Sequence, residues 1–313
     1  MQSPASSAMT AVMRAAIIGL QGTGLTPDEI ALFEATPPLG VILFARNIEN
    51  PVQLSALCSE IRGVLPAGAV IAVDQEGGRV QRLRPPHWAG HKAAADIASE
   101  DEAFAVGGAI GAECREAGID LVCAPVLDRR VKGANEIIGD RAYGPDPATI
   151  IARAGAMARG LLAQGVMPVG KHAPGHGRAL VDSHLALPVL DRPAPEDLEP
   201  FQALKGLPWL MTAHILFTDL DDRPATLSAR VIRDVIRGEI GFDGLLITDD
   251  LGMKALQGTT AELAVQAIGA GVDVALACAG TITEAREILG AVPELSDAAL
   301  RRLRAARRMV TRL

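Results

Sequence analysis

The sequence predicts an α/β protein folded as a single (β/α)8 barrel of the TIM type, and three observations carry that prediction. Eight short apolar runs alternate with helix-like segments along the 313 residues. The runs are apolar at successive positions, as in a parallel sheet covered by helices on both faces. Strand after strand then ends in a charged or reactive residue, and in a barrel those ends share one rim. A doubly wound open sheet is the competing arrangement. Against it, Gly19-Leu20-Gln21-Gly22-Thr23-Gly24 lacks the spacing of a G-x-G-x-x-G turn, and no G-x-x-x-x-G-K-S/T segment occurs.

The first strand is Ala15 to Gly22, and Thr26, Pro27 and Glu29 then supply an N-cap, a first-turn proline and a capping-box glutamate. Gly40 to Ala45 is the second strand, followed by Arg46 and Asn47, and Asn50-Pro51 opens a helix to about Leu65. Ala69 to Val73 is the third, ending in Asp74-Gln75-Glu76-Gly77-Gly78-Arg79. A helix near Asp101 to Ala117 precedes the fourth strand, Leu121 to Val126. Asp146-Pro147 caps a helix to about Gln164, and Val166 to Gly170 is the fifth strand. Pro195 to Leu204 is a helix, and Pro208 to Ala213 is the sixth strand, ending at His214. Ser228 starts a helix that stops near Gly241, and Gly244 to Thr248 is the seventh strand, ending at Asp249 and Asp250. Thr260 to Gly271 is a helix, Val272 to Cys278 the eighth strand, and two more helices close the chain.

Composition narrows the function classes. Nearly half of the residues are apolar, enough for a large core. A net charge of −7 argues against general nucleic-acid binding. The arginines from Arg301 to Arg312 read as the solvent side of a helix whose apolar stripe is Leu300, Leu303, Ala306, Val310 and Leu313. Cys58, Cys114, Cys123 and Cys278 are far apart and sit in apolar contexts, as reduced core thiols do. No run of eighteen apolar residues suggests a membrane span, and no secretory signal is convincing, so a cytoplasmic location is expected. Residues 1–12 are expected to be disordered and residues 13–313 to form one catalytic domain.

The chemistry concentrates in Lys171 to Pro188, KHAPGHGRALVDSHLALP, which holds three of the six histidines. Arg46, Asp74, Asp128, Lys171 with His172, His214 and Asp249 all stand at strand ends, so a barrel gathers them into one ring. His172, His176, His184 and His214 offer a metal-hydrolase alternative, but Pro174, Gly175 and Gly177 exclude the helix that would set two of them on one face. Asp182-Ser183-His184 offers acid–base chemistry: in an extended segment residues i and i+2 point the same way, and a carboxylate on one ring nitrogen raises the basicity of the other. The plain structural reading is an aspartate that caps a turn beside an exposed histidine. Asp249 projects from its strand as a nucleophile, ligand or charge stabiliser, with Asp250 as a structural neighbour capping a helix start at Gly252-Met253. Asp74 and Arg82 suit bidentate bonds to vicinal hydroxyls; the plain structural alternative is a loop held by a Glu76–Arg79 pair.

Four segments together, DQEGGRVQR at 74–82, IGDRAYG at 138–144, KHAPGHG with DSH at 171–184, and ITDDLGM at 247–253, resemble the glycoside hydrolase family 3 β-N-acetylglucosaminidases of the bacterial cell-wall recycling type. The resemblance runs from about Gly19 to the end of the chain. It implies Asp249 as the nucleophile, His184 as general acid/base assisted by Asp182, and Asp74, Arg82, Arg141, Lys171 and His172 as the groups that hold the sugar. It also implies a muropeptide substrate, no cofactor, and a barrel without a second domain. Ala173 departs from the pattern, standing where the family usually has Phe or another large residue.

The mechanism so implied is retaining. Asp249 attacks the anomeric carbon while His184 protonates the departing oxygen, and a water deprotonated by His184 then cleaves the glycosyl-aspartate. Gly170, Pro174, Gly175 and Gly177 suit a segment that closes over substrate and reopens. A neutral histidine in place of a second carboxylate would also admit phosphate as the acceptor, so phosphorolysis stays open within the same fold. A β-glucosidase and a non-catalytic sugar-binding barrel are further alternatives.

Overall fold

The structure is a computed structural model and describes residues 12–310. The segment expected to be disordered, residues 1–12, lies outside the described residues apart from Val12, and so do Arg312 and Leu313.

Eight parallel strands close into a barrel. They are β1 (Arg14–Gly19), β2 (Pro38–Leu43), β3 (Val70–Val73), β4 (Leu121–Val122), β5 (Met167–Ala173), β6 (Trp209–Thr212), β7 (Leu245–Asp250) and β8 (Val274–Ala277). Closure is visible at Ile17, which faces Gly40 of β2 on one side and Leu276 of β8 on the other. That double pairing rules out the open doubly wound sheet, which would leave β1 or another strand with a free edge. Strands β2, β3 and β6 are buried at every position, as strands covered on both faces must be.

The outer helices begin where local chemistry dictates. In α1 (Pro27–Ala35) the Thr26 hydroxyl accepts the Glu29 amide and the Glu29 carboxylate accepts the Thr26 amide, completing the capping box. Asn50 caps α2 (Pro51–Val64), Ser99 caps α3 (Glu100–Ala117) and Asp146 caps α4 (Pro147–Ala163). The helices α5 (Pro195–Ala203) and α6 (Thr260–Ala270) lie within a few residues of their expected limits, and α7 (Ile282–Ala291) is the first of the two closing helices. The helix expected after Ser228 is wound as a π-helix over Val231–Glu239. Two short strands, Val189–Leu190 and Leu216–Phe217, pair outside the barrel.

The closing helix α8 (Asp297–Val310) buries Ala299, Leu303 and Ala306, as its stripe requires. Its arginines are not all solvent-facing. Arg302 bridges Asp243 and Asp273, and Arg307 donates to the Gly68 and Ala69 carbonyls. These bonds tie the closing helix to the bottom of the barrel. Cys58, Cys114 and Cys123 are buried free thiols, and burial pushes the Cys58 thiol up to about 12. Among the described residues no helix is long and apolar enough to cross a membrane.

Candidate active site

Strand ends deliver the predicted ring to one place, but not every member faces inward. A cavity of about 220 Å³ at the C-terminal rim is lined by Asp74, Arg82, Arg141, Lys171, His172, His184 and Asp249. Asp182 stands beside it, bonded to His184. Arg46 turns away and donates to the Leu20 and Cys278 carbonyls, tying the ends of β1 and β8. His214 also turns away. Its Nε2–H donates to the Asp250 carbonyl (2.9 Å) and its Nδ1 lies 2.8 Å from the Thr226 hydroxyl. Both of its nitrogens are therefore used, and burial holds its pKa below the usual range. The four imidazoles of the metal alternative do not converge, and among the described residues no group of three or more His, Cys, Asp or Glu side chains is arranged to hold a metal ion. A larger recess of about 650 Å³ lies on the flank, between α2, α3 and the turn at Trp88.

One wall of the cavity is a buried network of charge. Glu76 accepts two parallel bonds from Arg141 at 2.8 Å each, and Lys171 reaches both Glu76 (2.5 Å) and Asp74 (3.1 Å). Arg82 bonds the other oxygen of Asp74 at 3.2 Å. Burial pushes the Glu76 carboxyl up, but Arg141 and Lys171 outweigh it and hold it far below the usual carboxylate range. Burial pulls the Lys171 ammonium down, and Asp74 and Glu76 more than reverse that. The expected Glu76–Arg79 pair is absent. Arg79 instead grips Asp140 at 2.7 Å and the Glu136 and Ile137 carbonyls. The loop reaches this position because Gly77 and Gly78 take positive φ values of 94° and 55°, and a Cβ on Gly77 would lie 2.3 Å from the Lys92 carbonyl oxygen.

The true partners of Glu76 make a direct prediction. Glu76→Gln leaves buried Arg141 without its carboxylate partner and Lys171 with Asp74 alone, a defect worth about 3–5 kcal/mol. The expected result is a fall in melting temperature of about 6–10 °C, together with a raised KM. An unchanged melting curve and KM would show that the network does not depend on this carboxylate.

The opposite wall is organised by Asp128, for which sequence position gives no role beyond a place in the ring. One of its oxygens accepts from the His172 amide (3.1 Å) and from His172 Nδ1 (2.6 Å), and the other accepts from the His176 amide (2.6 Å). The ring bond leaves His172 Nε2 facing the cavity, 3.9 Å from Asp249 Oδ2. Burial pushes the Asp249 carboxyl up, but His172, His214, the Asp250 amide and Lys171 together hold it below the usual range. Asp250 differs from its neighbour. Burial raises it, and its carboxylate accepts the Gly252 and Cys278 amides, so it is structural and caps a turn rather than a helix.

Asp182 and His184 meet, but not in an extended segment. They sit in a turn in which the Leu185 and Ala186 amides bond to the Asp182 carbonyl. Asp182 Oδ1 accepts both the His184 amide and His184 Nδ1 at 2.8 Å. A turn cap and an oriented imidazole are thus the same arrangement, and His184 Nε2 is left for the cavity. Gly177 lets this segment press against the body of the barrel, since a Cβ there would lie 2.1 Å from the Arg129 carbonyl oxygen.

Comparison with known proteins shows the family and the fold. Residues 36–313 match the glycosyl hydrolase family 3 N-terminal domain. A β-hexosaminidase of Pseudomonas aeruginosa (strain LESB58) is 39% identical over 298 residues, covering 92% of this chain and 86% of that protein. Native NagZ from Neisseria gonorrhoeae superposes with a TM-score of 0.81 at 31% identity over 96% of this chain and 97% of that one. The same Neisseria protein in complex with N-trifluoroacetyl-D-glucosamine superposes at 0.80 and 31% identity, covering 96% and 97% of the two chains. A family 3 β-N-acetylglucosaminidase from Paenibacillus sp. str. FPU-7 gives 0.87 at 31% identity over 95% of this chain, which spans 61% of that protein.

Proposed function

The chain belongs to glycosyl hydrolase family 3 and is a glycoside hydrolase of the β-hexosaminidase type, and on that premise we propose that it is a retaining exo-β-N-acetylglucosaminidase acting on muropeptides. The observation that carries the proposal is the meeting of Asp249, His184 and the Asp74–Arg82–Arg141–Lys171–His172 group in one small cavity. Asp249 is ionised, partly screened from water, and free of any strong cation contact that would blunt it as a nucleophile. His184, oriented by Asp182, gives its proton to the departing oxygen and then takes one from water. Asp74, Arg82 and Lys171 present charged donors and acceptors to the sugar hydroxyls. Arg141 acts from behind, through Glu76. His172 holds its ring toward the reacting carbon through Asp128.

The cavity floor is the packed barrel, which suits removal of one terminal ring rather than cleavage within a threaded chain. Residues 13–313 are read as one catalytic domain. A cytoplasmic place of work is part of the proposal, and the unpaired thiols of Cys58, Cys114, Cys123 and Cys278 agree with it.

Sugar preference is the part that rests most on relatives, one of which is named for its N-trifluoroacetyl-D-glucosamine complex. The test compares chromogenic β-N-acetylglucosaminide with β-glucoside. A kcat/KM ratio above about 10² is expected for a site that bonds the acetamido group. A ratio near one would move the protein to the glucosidases. Running the same assay with phosphate, and finding glycosyl phosphate, would replace hydrolysis by phosphorolysis.

A further inference from the structure

The turn that carries Asp182 and His184 has very little to hold it down. Leu180, Val181 and Leu185 are 70%, 41% and 67% exposed, so apolar burial does not set its position. From Leu180 to Leu187 only Ser183 is buried, at 3% exposure. Among the described residues, every hydrogen bond from this stretch to the rest of the protein passes through Ser183. Its hydroxyl meets His176 Nε2 at 2.9 Å, and its carbonyl accepts the Ala255 amide at 3.2 Å, in the segment after β7.

His176 is a fixed post for that bond. It is 3% exposed, its amide is held by Asp128, and its ring stands edge-on to His172 with centroids 5.8 Å apart. Its Nδ1 is buried and has no hydrogen-bond partner among the described residues. A buried N–H without an acceptor is rarer and costlier than a bare lone pair, so the ring proton belongs on Nε2, where Ser183 Oγ accepts it. Burial beside His172 pulls the His176 pKa to about 4, so the ring is neutral near neutral pH.

We propose that the His176–Ser183 hydrogen bond is a latch that holds the Asp182–His184 turn in its working position, which makes His176 a positioning residue for proton transfer. The inference rests on the reading of His184 as the acid/base. In it, a single carboxylate serves both sides of the reaction. Asp128 orients His172 with one oxygen and anchors His176 with the other. Cutting the latch leaves Asp249 and the charged wall untouched, while His184 spends less of its time beside the leaving oxygen.

The test is a double-mutant cycle of His176→Phe and Ser183→Ala, with kcat/KM measured on two β-N-acetylglucosaminides. One has a dinitrophenyl leaving group, which departs without a proton, and the other a sugar leaving group, which needs one. Each single variant is expected to lose about tenfold on the sugar and less than about twofold on the phenol. The double variant is expected to be no worse than the poorer single one. A merely structural role would lower both substrates together. Equal losses on both substrates, or additive losses in the cycle, overturn the latch. Should His176→Phe fail to fold, Ser183→Ala, which removes one oxygen, carries the test alone. His184→Ala is the control: if it shows the leaving-group dependence and the latch variants do not, the latch fails and the acid/base reading stands. If His184→Ala lacks it as well, both fall.

Discussion

Asp249→Ala is expected to lose at least about 10³-fold in kcat on aryl β-N-acetylglucosaminides, with no loss of fold. The carboxylate sits at the end of β7, with Oδ2 facing His172 Nε2 across 3.9 Å and Oδ1 accepting the next amide. Among the described residues, no other carboxylate is placed to take over. Asp250 is spent on the Gly252 and Cys278 amides, and Asp74 and Glu76 are bound to cations. Without the nucleophile, an activated phenol still departs only as fast as water attacks, because His184 can assist attack by water but cannot form the covalent intermediate. Stability should change little. The side chain makes one amide bond and no close ion pair, and removing a buried charge relieves its desolvation cost. Far-ultraviolet circular dichroism and a thermal melt report the fold, and release of the phenol reports activity. Near wild-type turnover in a folded Asp249→Ala protein would end the mechanism proposed here.

That prediction draws on a residue plainly legible in the sequence, and the reason is physical. A carboxylate that immediately follows a buried apolar run must emerge at the barrel rim, whatever the rest of the chain does. The same logic places Asp74, Lys171 and His172 correctly. It fails for Arg46 and His214, which also follow strands but turn to bond backbone carbonyls of neighbouring strands. Position along a strand is local information, whereas the partner that captures a long side chain is not. Glu76 shows the limit most clearly. Arg79 lies three residues away and is a sufficient partner by sequence alone, yet the true partners, Arg141 and Lys171, come from other loops and meet Glu76 only when the barrel closes. The available signal is an excess of predicted cations around one acidic loop. Ser183 is illegible for a different reason. It lies inside the D-S-H motif between two more reactive side chains, and burial at one position of an otherwise exposed turn cannot be read from residue type.

His184→Ala is expected to lose about 10²–10⁴-fold in kcat/KM with a sugar leaving group, and far less with dinitrophenol. The difference comes from what the leaving oxygen needs. A sugar alkoxide is a strong base and cannot depart at neutral pH without a proton, whereas dinitrophenolate is stable as it leaves. The imidazole is set up to supply that proton. Asp182 holds Nδ1 at 2.8 Å, so the proton at stake is the one on Nε2, at the cavity. The ratio kcat/KM is the right quantity, since it reports formation of the glycosyl-aspartate and not its hydrolysis. With the activated substrate, kcat should fall even where kcat/KM holds, because the second step needs His184 as the base that deprotonates water. Asp182→Asn should show the same pattern at smaller amplitude, since it removes the charge on Nδ1 but leaves the imidazole in place. Equal losses on both leaving groups would assign His184 to binding, and would leave the departing oxygen to be protonated by solvent.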